Sequence, residues 1–463
     1  MQTATLSMNS LLVLAVSGLI CISSRAQNVI LTPIHTFSSH DASSGTVSTE
    51  PISLFVGKFD GSLYGITYRD QTNGSIFTVK TDGSGYAVLH PFALGDENPN
   101  VSGYGPGQGY LTPSLVQGSD GILYGTTVGG GTNNAGTFFR LNPNGTGYTV
   151  LRNFPNSDGS PANLIQGSDG MFYGAGNSVF KIDANGSNYT VLHYFSASSD
   201  GFAPGGLTQG RDGVLYGTTF LGGTNGNGAL FSVDTNGASF KVLHTFQSTE
   251  GANSAAALFQ GSDGALYGTL SDYATVGTGA IFKINTNGDN FMILHKFAGA
   301  PNDGSNPLGS LAEGTNQVLY GTTYVGGKTS GTIFKIGLDG GNYASLYYFT
   351  NGTPLGVKPI TGLVRDPVNP SVFYGTTSDG ESPLTGSIFA ALVSPPLAVT
   401  PVISQTASNQ AVLFWPRWAG TYSLQSTTNL ASGNWTTVTD ALPVFGVQVT
   451  TTNPAVFYRL VSP

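Results

Sequence analysis

The chain has 463 residues, of which only 9% are charged, while 66 are glycine and 24 are proline. This composition is poor in the residues of long solvated helices and rich in turn formers, which argues against an all-helical enzyme. The formal net charge of -8 provides no basic surface for a phosphate backbone, so we expect no nucleic-acid partner.

The first 26 residues differ from the rest of the chain. Residues 11–22 form an apolar run, and Ser24-Arg25-Ala26 has the small-x-small form of a signal peptidase site. We therefore expect a signal peptide over residues 1–26. The only cysteine, Cys21, lies inside it, so the mature chain would have no thiol for a disulfide or a metal. No later apolar run approaches the ~20 residues of a membrane span, which predicts a secreted or cell-surface protein, with the periplasm as the alternative.

A Leu/Phe-Tyr-Gly triplet recurs seven times along the chain, about every fifty residues. Each copy begins with an apolar stretch that ends in Gln-Gly-Ser-Asp-Gly, as in residues 164–170. It continues through Gly-x-Ile/Phe-Phe-Lys/Arg-Ile, as in residues 279–284, to a strand such as residues 189–195. Asp-Gly and Asn-Gly pairs between these stretches predict tight hairpin turns. The seven tyrosines are Tyr64, Tyr124, Tyr173, Tyr216, Tyr267, Tyr320 and Tyr374.

Seven copies of four antiparallel strands predict a seven-bladed β-propeller over residues 27–393. Contiguous apolar runs within the strands fit sheets that are covered on both faces. The seventh copy stops after its third strand, whereas residues 34–37 match the missing fourth strand. Pairing the two would remove open sheet edges, so we expect the strand at residues 30–37 to close the ring. An open β-solenoid is the alternative.

The composition changes again after Leu392. Residues 394–400 read as a linker, and all three tryptophans, Trp415, Trp418 and Trp435, lie beyond it. Alternating apolar and polar stretches predict a small β-sandwich-like module over residues 401–463. Because tryptophan is ordinarily buried in such modules, a passive β domain is favoured here over a carbohydrate-binding one.

The repeats resemble the GloVer tandem repeat of secreted bacterial proteins, whose signature is close to Asp-Gly-x-Leu-Tyr-Gly-Thr-Thr-x-x-Gly-Gly. Residues 212–223 carry this signature, and the resemblance covers about residues 30–392. The third copy departs by its short loop at residues 174–179, and the seventh replaces Asp-Gly with Asn369-Pro370. The resemblance implies an exported protein of choice-of-anchor type with a C-terminal module like those of other exported bacterial proteins. It implies no reaction.

Histidine is the usual candidate for a catalytic base, but five of the six histidines share one repeat position, two residues before a phenylalanine. Arg152 and Tyr347 fill the same position in the other two copies. A position that accepts three residue types around a ring is typical of packing rather than catalysis. The five histidines are His35, His90, His193, His244 and His295.

The rim that carries the long loops is the candidate functional surface, because loops carry function more often than scaffolds do. The expected topology puts twelve carboxylates on it, against Arg69, Lys328 and Lys358, so this rim should be acidic. The candidate ligand residues are Asp70, Asp158, Asp200, Asp272, Asp303, Asp379 and Glu381, and the other carboxylates are Asp41, Glu50, Asp96, Glu97 and Glu250.

No nucleophile elbow, zinc motif or phosphate loop accompanies these residues in the sequence. We therefore expect a monomeric, non-catalytic binding or scaffold protein without catalytic residues or a cofactor. Its partner would be a polysaccharide or another cell-surface component, a cation or a protein. Calcium is left open, although each repeat offers one turn carboxylate where calcium needs about six to eight oxygens. The alternative is a carbohydrate-active hydrolase that uses two rim carboxylates as acid and base.

Overall fold

The computed structural model describes residues 29–37, 50–68, 74–92, 97–98, 114–159, 161–272, 277–315, 317–328, 330–379 and 386–393, and six strands between residues 402 and 461. One compact unit spans Asn28–Val393, and residues 394–463 fall with residues 1–27 in another. All regular elements among the described residues are β-strands, so the all-β class is confirmed. The predicted signal peptide lies outside the described residues.

The larger unit is built from seven antiparallel sheets, the blades, and its first strand is β1 (Val29–Thr36). In blades 1 to 6, sheet order follows chain order. Blade 1 contains β2 (Glu50–Val56), β3 (Leu63–Tyr68), β4 (Ser75–Val79) and β5 (Ala87–Pro91). After β6 (Glu97–Asn98), blade 2 contains β7 (Ser114–Gln117), β8 (Leu123–Thr127), β10 (Thr137–Leu141) and β11 (Thr149–Asn153), with β9 (Gly129–Gly130) in a loop. Blade 3 contains β12 (Ala162–Gln166), β13 (Phe172–Ala175), β14 (Ser178–Ile182) and β15 (Thr190–Tyr194).

The remaining blades repeat this order, and two short pairs lie in loops: β6 with β9, and β24 (Gly304–Ser305) with β27 (Val325–Gly326). Blade 4 contains β16 (Phe202–Gln209), β17 (Leu215–Leu221), β18 (Ala229–Val233) and β19 (Phe240–Thr245). Blade 5 contains β20 (Phe259–Gln260), β21 (Leu266–Leu270), β22 (Ala280–Ile284) and β23 (Met292–Lys296). After β24 (Gly304–Ser305), blade 6 contains β25 (Ala312–Glu313), β26 (Val318–Thr323), β28 (Thr332–Gly337) and β29 (Ala344–Tyr348), with β27 (Val325–Gly326) in a loop. Blade 7 contains β30 (Val357–Pro359), β31 (Val364–Arg365), β32 (Val372–Asp379) and β33 (Ser387–Val393).

The fourth strand of blade 7 comes from the other end of the sequence. Strand β1 pairs antiparallel with β33, from Val29 opposite Val393 to Thr36 opposite Ser387, with a bulge between Pro33 and His35. Beyond the strand, the Phe37 amide donates a hydrogen bond to the Gly386 carbonyl at 3.0 Å. Each of the seven sheets therefore has four strand positions from the centre of the propeller to its periphery.

The first strand of each blade lies towards the centre of the ring. Strand β12, for example, approaches the first strands β7 and β16 of the neighbouring blades. The second and third strands are almost wholly buried, whereas the fourth strands, such as β5, are the most exposed. The apolar runs that the sequence shows therefore correspond to strands covered on both faces.

The Tyr-Gly pair of each repeat serves the core. In blade 4, a Cβ atom on Gly217 would lie 2.5 Å from the Phe231 ring, so only glycine lets that ring pack onto the neighbouring strand. A second phenylalanine, which directly follows the fourth strand of the preceding blade, packs against the first ring, with centroids 5.1 to 6.0 Å apart. All seven junctions have this pair: Phe37–Phe77, Phe92–Phe139, Phe154–Phe180, Phe195–Phe231, Phe246–Phe282, Phe297–Phe334 and Phe349–Phe389.

The described strands of the C-terminal unit are β34 (Val402–Ala407), β35 (Gln410–Phe414), β36 (Ser423–Thr427), β37 (Thr436–Thr437), β38 (Gly446–Thr450) and β39 (Phe457–Val461). They form two three-stranded antiparallel sheets, with strand orders β34-β35-β38 and β37-β36-β39. The three tryptophans of this part of the sequence lie outside the described residues.

Candidate functional site

The turn rim, where the first and second strands of each blade meet, is organised by a tyrosine–aspartate pair. In blade 4 the Tyr216 hydroxyl donates to Asp212 Oδ2 at 2.7 Å, and Asp212 Oδ1 accepts the Val214 amide at 3.1 Å. Gly213 completes the turn at a φ of 81°, a conformation that favours glycine. The Asp-Gly-x-Leu-Tyr motif is therefore a hairpin that closes on itself. The other pairs are Tyr64–Asp60, Tyr124–Asp120, Tyr173–Asp169, Tyr267–Asp263 and Tyr374–Asp366.

These tyrosines are held in their neutral form. Burial and the adjacent Asp120 carboxylate raise the pKa of Tyr124 to about 12, and burial with Asp212 raises the pKa of Tyr216 well above its usual range. A neutral phenol can donate a hydrogen bond but is a poor proton acceptor. These six repeat tyrosines accordingly serve structure and provide no general base.

A glutamine ladder links successive blades along the same rim. Gln209 Nε2 donates to the Gly213 carbonyl within blade 4, while its Oε1 accepts the Ser168 amide of blade 3 at 2.8 Å. The ladder runs from blade 1 to blade 6, where Glu313 takes the place of glutamine. Its other acceptors are Gln117 for Lys58, Gln166 for Ser119 and Gln260 for Arg211.

The repeated histidines lie at the junctions between blades. Each ring stacks on an aromatic ring of the next blade, with centroids 3.4 to 4.0 Å apart. In the junction with an arginine, the Arg152 guanidinium carbon lies 3.9 Å from the centre of the Tyr189 ring. A packing role for this position is what the structure shows. The stacked pairs are His35–Tyr86, His90–Tyr148, His193–Phe240, His244–Phe291 and His295–Tyr343.

Three of these histidines also bind a carboxylate from the loop that follows their strand. His193 Nε2 lies 2.5 Å from Asp200 Oδ2, and His244 Nε2 lies 2.8 Å from Glu250 Oε2. His295 Nε2 lies 3.0 Å from Asp303 Oδ2. We call the repeat position two residues before the phenylalanine the slot. A clasp is a slot histidine that stacks on the next blade and binds the carboxylate of the loop after its strand.

Two of the three clasp carboxylates, Asp200 and Asp303, are buried. Asp200 is 4% exposed and Asp303 is 9% exposed. Burial opposes ionisation of Asp200, but hydrogen bonds from His193, Ser199 and the Ser196 amide outweigh it and leave its pKa below the usual range. The same opposition holds at Asp303, where Tyr343, the Ala298 amide and His295 donate and the pKa is again lowered. Both carboxylates therefore accept hydrogen bonds from groups of the propeller itself.

Two further carboxylates of the predicted loop rim are also engaged. Asp158 is 4% exposed and accepts hydrogen bonds from Tyr189 and Tyr194. Asp272 accepts the Ala252 amide at 2.5 Å and the Gly279 amide at 3.1 Å. Together with the clasps, these contacts occupy five of the expected rim carboxylates. The side chain of Asp379 and the whole of Asp41, Asp70, Asp96 and Glu381 lie outside the described residues, so a ligand role for the rim stays a prediction.

The sequence contains a signal for the clasps in the spacing between the repeated histidine position and the next acid. A carboxylate follows the slot residue by six positions at Glu250 and by eight at Asp303. Asp41 and Asp96 follow His35 and His90 by six positions. Among the described residues, no group of three or more histidine, cysteine or carboxylate side chains could hold a metal ion. The described residues also contain no helix that is long and apolar enough to cross a membrane.

The repeats match the model of a known repeat family. A model of the Gloeobacter/Verrucomicrobia repeat matches residues 175–389, which confirms the resemblance seen in the sequence for blades 3 to 7. A comparison with curated proteins finds no match.

Two solved structures resemble the chain only loosely. One is the extracellular domain of a one-component system from B. thetaiotaomicron, at 11% identity and a TM-score of 0.49, covering 93% of this chain and 57% of that one. Another is an oligogalacturonate lyase from Vibrio parahaemolyticus, at 12% identity and a TM-score of 0.48, covering 80% of this chain and 99% of that one. Likenesses at this level carry no argument about activity.

Proposed function

Since residues 175–389 belong to the Gloeobacter/Verrucomicrobia repeat family and the chain forms a seven-bladed propeller, we propose that the protein is an exported, non-catalytic propeller that binds or displays a cell-surface component. The observation that supports this most strongly is the engagement of the rim carboxylates. Asp158, Asp200, Glu250, Asp272 and Asp303 all accept hydrogen bonds from the fold itself.

A glycosidase needs one carboxylate to donate a proton and another to attack or to activate water. A carboxylate whose pKa is lowered by buried donors, such as Asp200 or Asp303, is a poor proton donor at neutral pH. A carboxylate that caps two backbone amides, as Asp272 does, cannot move to a substrate without breaking the loop it holds. These chemical states favour the scaffold function over the hydrolase function.

The test is a polysaccharide hydrolysis panel with the mature chain, residues 27–463, assayed for new reducing ends. We expect no turnover. Turnover that disappears in Asp272→Asn, while Asp289→Asn on the turn rim keeps it, would replace the scaffold proposal with the hydrolase. Mass spectrometry of the exported chain tests the signal peptide, and retention of Met1 would contradict cleavage after Ala26.

We also propose that β1 closes the ring and that the two C-terminal sheets pack as a β-sandwich. Closure is supported by the pairing of β1 with β33, by the His35–Tyr86 stack at 4.0 Å and by the Phe37–Phe77 contact at 5.4 Å. His35 lies on β1 and Phe37 directly follows it, and their partners lie on blade 1. The N-terminal segment therefore supplies the phenylalanine contact found at every other junction and the histidine stack found at four others. Deleting residues 27–38 should therefore lower the melting temperature strongly.

A further inference from the structure

A cavity of about 360 Å³ opens on the turn rim between blades 5 and 6. Small-molecule sites in proteins measure roughly 300 to 1,000 Å³, so one small ring would fit. The cavity is away from the loop rim and uses none of the clasp residues. Its polar lining consists of Asp263, Lys283, Gln317, Lys335, Asp339 and Asn342.

The blade 6 turn beside the cavity departs from the repeat. Gln317 stands where the turns of blades 1 to 5 have glycine, and it keeps the left-handed conformation at a φ of 59°, as Gly213 and Gly264 do at 81° and 86°. A residue with a Cβ atom is strained there by about 1 kcal/mol or more. The Gln317 side chain is exposed and lines the cavity. Strain retained at a polar, cavity-lining position points to a binding role.

The charges around the cavity are balanced, and contacts within the fold hold Lys283, Asp263 and Asp339. Lys283 Nζ lies 2.8 Å from Asp263 Oδ2 and donates to the Leu338 carbonyl at 3.2 Å. Asp339 Oδ1 accepts the Gly341 amide at 2.8 Å. Lysines and carboxylates are equal in number in the lining, two of each, so the site has no net charge to select an anion or a cation.

We propose that this cavity binds one neutral sugar ring, such as a terminal residue of a cell-surface polysaccharide. The amides of Gln317 and Asn342 and the two lysines supply donors to sugar hydroxyls, and the carboxylates supply acceptors. Val318 and Leu338 provide apolar surface for the C–H face of the ring. This inference rests on the proposed binding function and assigns its location to the turn rim rather than to the loop rim.

Gln317→Gly and Asn342→Gly test the site without damaging the fold. Both residues have positive φ, so glycine relieves strain and the melting temperature should stay equal or rise. Asn290→Gly is the matched control, because Asn290 occupies the same turn position in blade 5, has a φ of 56° and does not line the cavity. The probes are glucose, galactose, mannose and N-acetylglucosamine, with sodium acetate as an anionic probe, titrated into the mature chain and followed by saturation-transfer NMR.

We expect at least one neutral sugar to bind saturably, with a dissociation constant on the order of 1 mM, and both cavity variants to weaken it about tenfold while the control does not. Saturable binding of acetate in place of sugar, or no binding of any sugar, would overturn the proposal. Sugar binding that is equal in all three variants would overturn the location alone and leave the proposed function standing. Hydrolysis of a polysaccharide would overturn the proposed function instead.

Discussion

Phe37 provides the sharpest test of how the ring is held together. Its ring is 1% exposed and packs edge-on against Phe77 at 5.4 Å and against His35 at 4.8 Å. Truncating a buried phenylalanine to alanine removes its transfer free energy and leaves a cavity, which costs about 3 to 5 kcal/mol. If β1 is a full member of blade 7, Phe37→Ala should lower the free energy of unfolding by this amount in urea.

Two controls make the test specific. Phe297 occupies the same position between blades 5 and 6, is 2% exposed and meets Phe334 at 5.2 Å, so Phe297→Ala should cost the same within about 1 kcal/mol. Ile30 lies on β1 but is 55% exposed, so Ile30→Ala should cost less than about 0.5 kcal/mol. A cost for Phe37→Ala that matches the Ile30 control would show that β1 is not needed to hold the ring.

Three further predictions concern single contacts. The lowered pKa values of Asp200 and Asp303 mean that their stabilisation is present above the unfolded value, near 3.9, and is lost as the pH falls through the folded value. The melting temperature should therefore decrease as the pH is lowered below about 4. Asp303→Asn should lower the melting temperature at pH 7 and make its decrease at acid pH less steep; an equally steep decrease in the variant would refute the assignment. Lys358 has a φ of 58°, and the equivalent residue of the preceding blade is Asn306, which has a φ of 55° and donates a hydrogen bond to the Ser271 carbonyl. Lys358→Asn should therefore raise the free energy of unfolding by up to about 1 kcal/mol, and a lower urea midpoint would contradict this. Tyr216→Phe should cost about 1 kcal/mol by removing the donor to Asp212, and an unchanged urea midpoint would show that the pair is not needed.

Much of the fold could be predicted because the contacts that shape each hairpin join residues close in sequence. The Asp-Gly and Tyr residues of one hairpin are four positions apart, as Asp212 and Tyr216 are, so their contact follows from turn geometry alone. The third-strand phenylalanine recurs at one position of all seven repeats, and each packs against a phenylalanine from the preceding blade. The number of blades followed from counting the repeats.

The contacts between blades could not be read in the same way. Ser168 donates to Gln209, and His193 stacks on Phe240, across separations of more than forty residues. Such partners are set by the angle between neighbouring sheets, which sequence spacing does not encode. For the same reason the sequence assigned Asp200 and Asp303 to an open rim, whereas the structure buries both against histidine. The strained Gln317 was equally invisible, because its φ depends on the turn that surrounds it.

The junction between blades 6 and 7 explains what the loop carboxylates are for. There the slot residue is Tyr347, which carries no positive charge, and the position six residues later is Thr353 rather than an acid. Leu31 of β1 replaces the stacking aromatic ring, and both Leu31 and Tyr347 pack against one apolar cluster that includes Phe349. A buried carboxylate at this junction would lack the partner that offsets its desolvation. Acids follow the slot at every junction that has a histidine or an arginine, and the one junction without such a base has no acid, which is expected if the carboxylates serve the ring rather than an external ligand.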